Sequence, residues 1–306
     1  MAQKISVVIP NYNGKEILSK NLPLVLKYCP DFEIIIVDDA STDDSVQFVK
    51  DNFKKVKLVT FEKNQGFAVA ANTGVNAASA PLVLLLNSDV CPTEGFLKEA
   101  LVHFKSKEVF AVGLSDRSHE DDKIIIRGRG GVKFTKGFLL HFAKNPKAGQ
   151  TFWVSGGSSL FDKKKFLELG GFDKIYAPFY WEDIDLCYRA RKNGNVCLYE
   201  PKSEVDHYHQ EGAIKRNYSA FYIKTVSYKN QFIFVWKNIS DYSLIIKHIL
   251  WLPYHFAKAL LSQNLPFFVG FLWAISTIPH LIFNFQLQTT NYQLSDKEVL
   301  SGFEEQ

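Results

Sequence analysis

The sequence predicts an α/β fold, a mostly parallel sheet flanked by helices, followed by a helical, amphipathic C-terminal extension. Three observations carry this. Short apolar, β-branched runs alternate with helix-length segments through the first 114 residues, which is the spacing of βαβ units with right-handed crossovers. Three of those runs end in polar residues, Asn11/Tyr12/Asn13, Asp38/Asp39 and Asn87/Asp89. These belong at the carboxyl edge of one sheet, where open α/β folds bind ligands. Finally, the composition shifts late in the chain: from Ala213 to Gln263 there are seven Lys/Arg and a single acid, Asp241.

The 306 residues accommodate a domain over 1–212, with halves 1–114 and 115–212, and an extension over 213–306. An apolar content of 46% is enough for a sizeable core, and a net charge of +4 is too modest to imply a nucleic-acid partner. Cys29, Cys91, Cys187 and Cys197 show no C-x-x-C pair and no metal-ligand spacing, which reads as reduced structural thiols in a cytoplasmic protein. Ile5–Ile9, ended by Pro10, is too short for a signal-peptide core, so export is not expected.

In order, Ile5–Ile9 reads as a buried strand and Pro10–Gly14 as the loop leaving it. Lys15–Tyr28 places Ile17, Leu18, Leu22, Val25 and Leu26 on one helical face despite Pro23. Phe32–Val37 is a second strand, and Ser41–Asp44 is expected to cap a helix through Asp51 with acids in its first turn. Val56–Phe61 is a third strand, and Asn64-Gln65-Gly66 opens an Ala-rich helix to Ala78. Leu82–Leu86 is a strand apolar on both faces, after which Pro92 is expected to block further pairing. Thr93–Lys105 reads as a helix and Val109–Leu114 as a strand. Residues 115–150, with Arg127-Gly128-Arg129-Gly130-Gly131, read as a mobile loop or short hairpins on the acceptor side. Phe152–Leu160 leads into a short strand. Asp162–Leu169 is a helix closed by Gly170-Gly171, and another runs from the acids at 182–185 through Lys192 to a Gly194 cap. Val196–Tyr199 and Glu204–His207 read as two short strands.

Asp89, a hard oxygen ligand at a strand end, is placed to hold a divalent cation against phosphates; turn chemistry after a strand is the plainer alternative. No G-x-G-x-x-G follows the first strand, so the dinucleotide fingerprint is absent. Glu182, Asp183 and Asp185 open a helix, where the backbone dipole favours negative charge; capping with an Asp185–Arg189 pair is the structural alternative. Tyr180 and Trp181 beside them point to a partly desolvated sugar-stacking surface on which Asp183 takes a proton from an alcohol. His207 and His209 share a face if the segment is extended, and no cysteine has the His spacing of a zinc site.

Taken together, Val7-Val8-Ile9-Pro10-Asn11-Tyr12-Asn13, Ile36-Val37-Asp38-Asp39-Ala40-Ser41-Thr42-Asp43, Asn64-Gln65-Gly66-Phe67-Ala68 and Asn72-Thr73-Gly74 form an ordered set. Leu86-Asn87-Ser88-Asp89, Gly170-Gly171-Phe172-Asp173 and Trp181-Glu182-Asp183-Ile184-Asp185-Leu186 continue it. Over roughly residues 5–212 the set resembles a family 2 glycosyltransferase of the GT-A fold, especially the bacterial rhamnosyltransferase-like branch. The resemblance implies that Pro10, Tyr12 and Asp39 line a nucleoside pocket, with Asn13, Asn64, Gly66 and Asn72 in the donor-binding stretches. Asn87-Ser88-Asp89 stands at the family's D-x-D, so Asp89 would ligate Mg²⁺ or Mn²⁺ and Asn87 would meet the sugar or ribose. Asp183 would be the base, and Trp153, Gly156, Trp181 and Glu182 would face the acceptor. A histidine completes the metal site: spacing from Pro201 favours His207, whereas Glu211-Gly212 favours His209. The implied reaction is an inverting hexosyl or deoxyhexosyl transfer from a nucleotide-diphosphate sugar to a glycan or lipid-linked acceptor, in cell-surface polysaccharide synthesis. Two alternatives stand beside it. A nucleotidyltransferase would want a Gly-rich, basic loop where Asn11-Tyr12-Asn13-Gly14 stands, and a non-catalytic nucleotide-sugar or lipid-binding module would not need Asp39, Asp89 and Asp183 together.

The extension is aromatic and basic over Ile214–Asn238 and Tyr242–Ser262, and no charge appears from Ala259 to Ser295. Leu265–Phe285 approaches the ~20 apolar residues of a membrane span but is interrupted by Pro266, Pro279 and His280. The expected arrangement is peripheral, with helices lying on the anionic inner face of the cytoplasmic membrane. Packing on the catalytic domain or in a homodimer, and a single span, are the alternatives.

Overall fold

The computed structural model describes residues 4–120, 123–208, 218–282 and 292–303. Four strands, β1 (Ile5–Asn11), β2 (Glu33–Asp38), β3 (Lys57–Thr60) and β4 (Leu82–Leu86), pair in parallel in the order β3-β2-β1-β4. Between them run α1 (Lys15–Tyr28), α2 (Ser45–Asn52) and α3 (Phe67–Ala77). Val7, Ile35 and Leu84 are fully buried because helices cover both faces, as the unalternating apolar runs require. α2 begins at Ser45, so Asp43 and Asp44 precede its first turn instead of sitting in it.

Beyond β4 the sheet becomes mixed. The next elements are β5 (Val90–Pro92), α4 (Lys98–His103), β6 (Val109–Glu120), β7 (Lys123–Arg127), β8 (Gly130–Thr135), β9 (Phe138–Ala143) and β10 (Gly149–Gln150). β11 (Ser158–Asp162), α5 (Lys163–Glu168), α6 (Glu182–Lys192) and β12 (Val196–His207) follow. β11 lies antiparallel between β4 and β6, and the strand order is β10-β12-β6-β11-β4-β1-β2-β3. β5 pairs with β12, and Pro92, expected to end pairing, sits opposite Val205 as the last residue of that short edge strand, where its missing N–H costs nothing. The 115–150 stretch is mostly strand: β6 continues past Leu114, β7 folds back on it, and β8–β9 form a hairpin of their own. The two strands expected around Pro201 are one, β12, with a register shift between Glu200 and Glu204.

The extension contains α7 (Ala220–Asn238), α8 (Tyr242–Leu261), α9 (Leu265–Ser276) and α10 (Asp296–Ser301). These helices share one apolar cluster with the second half of the sheet domain, in which Phe138, Phe152, Trp181 and Tyr188 meet Phe232, Phe234, Phe267 and Phe303. Among the described residues no helix is long and apolar enough to cross a membrane.

Candidate active site

Three strand ends build one edge. At the end of β1, buried Asn11 donates its amide to Asp38 Oδ2 at 2.8 Å, tying β1 to β2. Asn13 accepts the Thr42 N–H at 2.7 Å and donates its own N–H to Ser41 Oγ at 2.8 Å, which fixes the two loops against each other. Asp39 accepts the N–H groups of Gln65 and Gly66 at 2.7 and 2.8 Å, and Asn64 Nδ2 donates to the Asp39 carbonyl at 3.3 Å. Gly66, at φ +86, faces the Pro178 carbonyl and so brings this edge to the loop that carries the acids. Tyr12 stands 40% exposed beside β1, and half-buried Pro10 pairs with Val37. Asn72 has a different place: its amide bonds Phe172 reciprocally, at 2.8 and 2.9 Å. That clasp ties α3 to the Gly171 loop through both polar ends of the side chain.

The turn after β4 carries Asn87 and Asp89. Asn87 donates its N–H to the Gly157 carbonyl at 2.8 Å, and its side-chain amide occupies the space any Cβ at Gly157 would need. Asp89, 9% exposed, has Oδ1 3.4 Å from His207 Nε2 at the end of β12. The other ring nitrogen, Nδ1, is 2.7 Å from Asp116 Oδ2 on β6, and Ser118 Oγ donates to Asp116 Oδ1 at 2.7 Å. Burial alone would lower the His207 imidazole, but the Asp116 and Asp89 carboxylates outweigh it and push it up to about 9. His209 lies outside the described residues.

One residue before Gly157, the Gly156 backbone lies beside the Asp183 carboxylate and helps to hold its pKa down, so the glycine pair stands between the turn after β4 and the acids of α6. Asp183 Oδ1 also accepts the Ile184 N–H at 2.8 Å. Burial pushes Asp183 up to about 6 against those hydrogen bonds. Glu182 is pushed up further, to about 8, by burial and by the neighbouring Asp183 charge, and its Oε2 is enclosed with no hydrogen-bond partner. Asp185 takes the structural alternative. It is fully buried, paired with Arg189 at 2.8 Å and with Lys237 at 2.8 Å, and bonded by Tyr176 and Asn238.

The expected stacking surface divides. Tyr180 is 42% exposed, whereas Trp181 is 4% exposed, packed between Phe234 and His141. Trp181 is therefore a core residue and presents no open face to a sugar. Trp153, half-buried, meets His141 edge-on from the other side.

Residues 6–170, just over half of the chain, match the family model described as glycosyl transferase family 2. The chain belongs to that family. The chain is 27% identical over 246 residues to the chondroitin synthase of Escherichia coli, covering 70% of this chain and 35% of that protein. Its fold is similar to that of GalNAc-T7, solved with UDP, GalNAc and Mn²⁺, at a TM-score of 0.65 and 17% identity over 79% of this chain and 49% of that one. The mannosyltransferase PcManGT from Pyrobaculum calidifontis, solved with GDP-Man and Mn²⁺, superposes at 0.54 with 15% identity over 94% of this chain and 88% of that one. The architecture is GT-A. The chain spans about a third to a half of the length of the curated relatives it matches, 35% of one and 52% of another.

The donor set at the β4 turn fits a small divalent cation. Asp89 and His207 offer one carboxylate oxygen and one imidazole nitrogen side by side, a hard donor suited to Mg²⁺ or Mn²⁺ and a borderline one that Mn²⁺ accepts more readily than Mg²⁺. Among the described residues no group of three such side chains is gathered, so phosphate oxygens and water would supply the remaining positions.

Sequence reasoning missed Asp116, which orients His207 from behind, and it missed the α7 face that holds the loop before Asp183. Asn230 Nδ2 donates to the carbonyls of Tyr176, Phe179 and Tyr180 at 2.8, 3.0 and 2.9 Å, and Lys229 Nζ donates to Ala177 at 2.6 Å. The signal was present: Lys229-Asn230 interrupts an aromatic run, and both are buried.

Proposed function

We propose that this protein is an inverting, metal-dependent glycosyltransferase that moves a sugar from a nucleotide diphosphate to a hydroxyl of a glycan or lipid-linked acceptor. The observation that carries the reading is Asp183: a half-buried carboxylate held up to about 6 beside the Gly156 backbone, one residue before Gly157, whose carbonyl accepts the N–H of Asn87. Asp39, Asn64 and Tyr12 form the nucleoside edge, with Asn13 and Gly66 shaping its loops, and Asn87 meets the sugar or ribose. Asp89 and His207 would hold Mg²⁺ or Mn²⁺, which when bound offsets the charge of the diphosphate. Asp183 takes the proton of the acceptor hydroxyl as that oxygen bonds the anomeric carbon. The sugar–phosphate bond breaks on the opposite face, and its electron pair leaves with the nucleotide diphosphate. Glu182, kept neutral beside Asp183, is placed to donate a hydrogen bond to the acceptor. The likeness to a chondroitin synthase supports polysaccharide assembly as the setting, and the ordered motifs resemble those of the rhamnosyltransferase-like branch of the family. A lipid-linked acceptor would place the enzyme peripherally on the inner face of the cytoplasmic membrane.

The test is a panel of UDP-, dTDP- and GDP-sugars with Mn²⁺, scored for nucleotide release with and without lipid-linked acceptors. Below about pH 6 Asp183 is protonated and cannot accept a proton, so turnover climbs as pH rises through that value and then levels. Asp183→Asn loses this limb and cuts turnover by ~10²–10⁴ while donor binding persists. Near-normal turnover in that variant removes the assignment.

A further inference from the structure

α8 carries two stripes at helical spacing. On one, Ile246, Ile249, Leu250 and Leu261 point away from the protein, with Leu250 72% and Leu261 86% exposed. The following helix continues it, since Leu265 and Leu272 of α9 are 62% and 64% exposed while Phe267 and Ala274 face the core. The second stripe runs alongside: Lys247, Trp251, Tyr254 and Lys258, two amphipathic rings between two cations. Lys136, from the turn between β8 and β9, joins this belt with its ammonium 4.9 Å from the Tyr254 ring and 5.7 Å from that of Trp251. The turn itself is clamped to α8. Gly137 carries no side chain because a Cβ would stand 2.7 Å from the His248 backbone, and its carbonyl lies 2.7 Å from His248 Nδ1.

We propose that this outward face of α8 and α9 docks on an anionic lipid bilayer, with the aliphatic stripes entering the acyl boundary and the lysine–aromatic belt lying at the headgroups. Charge chooses the occupant. From Ala220 to Ser276 the one acid is Asp241, near Lys297 at 3.9 Å, so nothing on these helices repels an anionic surface. Apolar stripes flanked by Trp, Tyr and Lys are the pattern of a helix lying in the interface plane, and no described helix is long and apolar enough to span. A cleft of about 500 Å³ shares Lys136, Tyr254 and Lys258 with the belt and adds Phe138 and Phe267, giving an anionic headgroup and the start of its chain a place to sit. The docking surface stands apart from the transfer chemistry; that it delivers a lipid-linked acceptor rests on the function proposed above.

The experiment is co-sedimentation of the full chain with vesicles of phosphatidylcholine alone and of phosphatidylcholine mixed with phosphatidylglycerol. Binding is expected to the anionic vesicles, to weaken with salt, and to fall roughly fivefold for each charge removed in Lys247→Gln and Lys258→Gln. Leu250→Glu with Leu272→Glu is expected to abolish it, with an unchanged melt because both positions face solvent. Quenching of tryptophan by brominated lipid in the wild-type chain, lost in Trp251→Phe, reads the same contact without a charged variant. Wild-type protein remaining in the supernatant, or the double variant sedimenting normally, overturns the proposal. So does a dimer in light scattering that the double variant dissociates, because the face then belongs to a second copy. Nucleotide release in vesicle-free buffer is read in parallel: normal release without vesicle binding rejects the docking surface alone, and vesicle binding without release rejects the transfer reading alone.

Discussion

Asp116 touches no substrate in the proposed reaction, yet it decides which way His207 points. With Nδ1 held 2.7 Å from Asp116, the His207 ring has only Nε2 to offer toward Asp89. Carboxylate partners of this kind fix ring orientation and raise ligand basicity, and their loss typically weakens metal affinity by 10–100-fold. Asp116→Asn keeps the size but removes the charge, so Mn²⁺ binding in the presence of a nucleoside diphosphate, read by calorimetry, should weaken by about that factor. Asp116→Glu should recover part of it. Unchanged affinity in Asp116→Asn would make the contact structural only. The sequence could display Asp89 and His207 as candidates because strand ends and spacing are local. It could not display Asp116, which reaches them only because β6 runs on past Leu114 to lie in parallel with β12.

At the scale of elements, α6 begins with a strained entry. Tyr180 and Trp181 adopt φ of +70° and +77°, a region that costs non-glycine residues about 1–3 kcal/mol each. Such a turn persists only when its surroundings over-determine it, and α7 does so through Asn230, whose amide serves three carbonyls, and through Lys229. Asn230→Ala leaves those buried carbonyls short of donors, at about 1–3 kcal/mol for an unsatisfied group. The melting temperature should fall, and turnover should drop with little change in the KM for donor, because the bonds of Asn230 and Lys229 go to the loop before Asp183 and not to the Asp39 and Asp89 turns. A rise in donor KM at constant turnover would place the clasp's influence on the nucleotide edge instead. Elements of this kind were legible in proportion to how local their causes are. The bounds of α1 and β4 follow from their own apolar spacing. By contrast, β8 and β9 are held by each other and by α8, and residues 115–150 alone look like a polar, glycine-rich loop.

At the scale of the whole molecule, the extension reads in sequence as an appendage, because apolarity shows that a helix packs and not what it packs on. The described structure ties it into the half of the sheet domain that carries Asp183. α10 brings Asp296 against α6 and the start of α8, where its carboxylate accepts from Lys192 at 2.6 Å, Tyr188 at 2.5 Å and the N–H groups of Ser240 and Asp241 at 2.6 Å each. Phe303 then covers Arg191, with the guanidinium 4.3 Å from its ring centre. Lys192 is 1% exposed, so Asp296→Ala would strand a buried ammonium, at about 3–5 kcal/mol. Replacing both partners, Lys192→Met with Asp296→Leu, should restore most of the loss, since a buried ion pair is exchanged for apolar contact. Urea unfolding of the three chains measures this, and a double variant no better than Asp296→Ala would mean that the bonds to Ser240 and Asp241 dominate. The pH dependence has a fixed sign. Burial raises Asp296, but Lys192, Tyr188 and the Asp241 N–H outweigh it, so its folded value lies below the ordinary ~3.9 of an aspartate. The stability it contributes is therefore complete above that ordinary value and is lost as pH falls through the folded one. The gap in unfolding free energy between wild type and Asp296→Asn should hold constant from neutral pH down to ~4 and close below it. A gap that narrows instead on raising the pH from neutral would show that the carboxylate is not what joins the two halves.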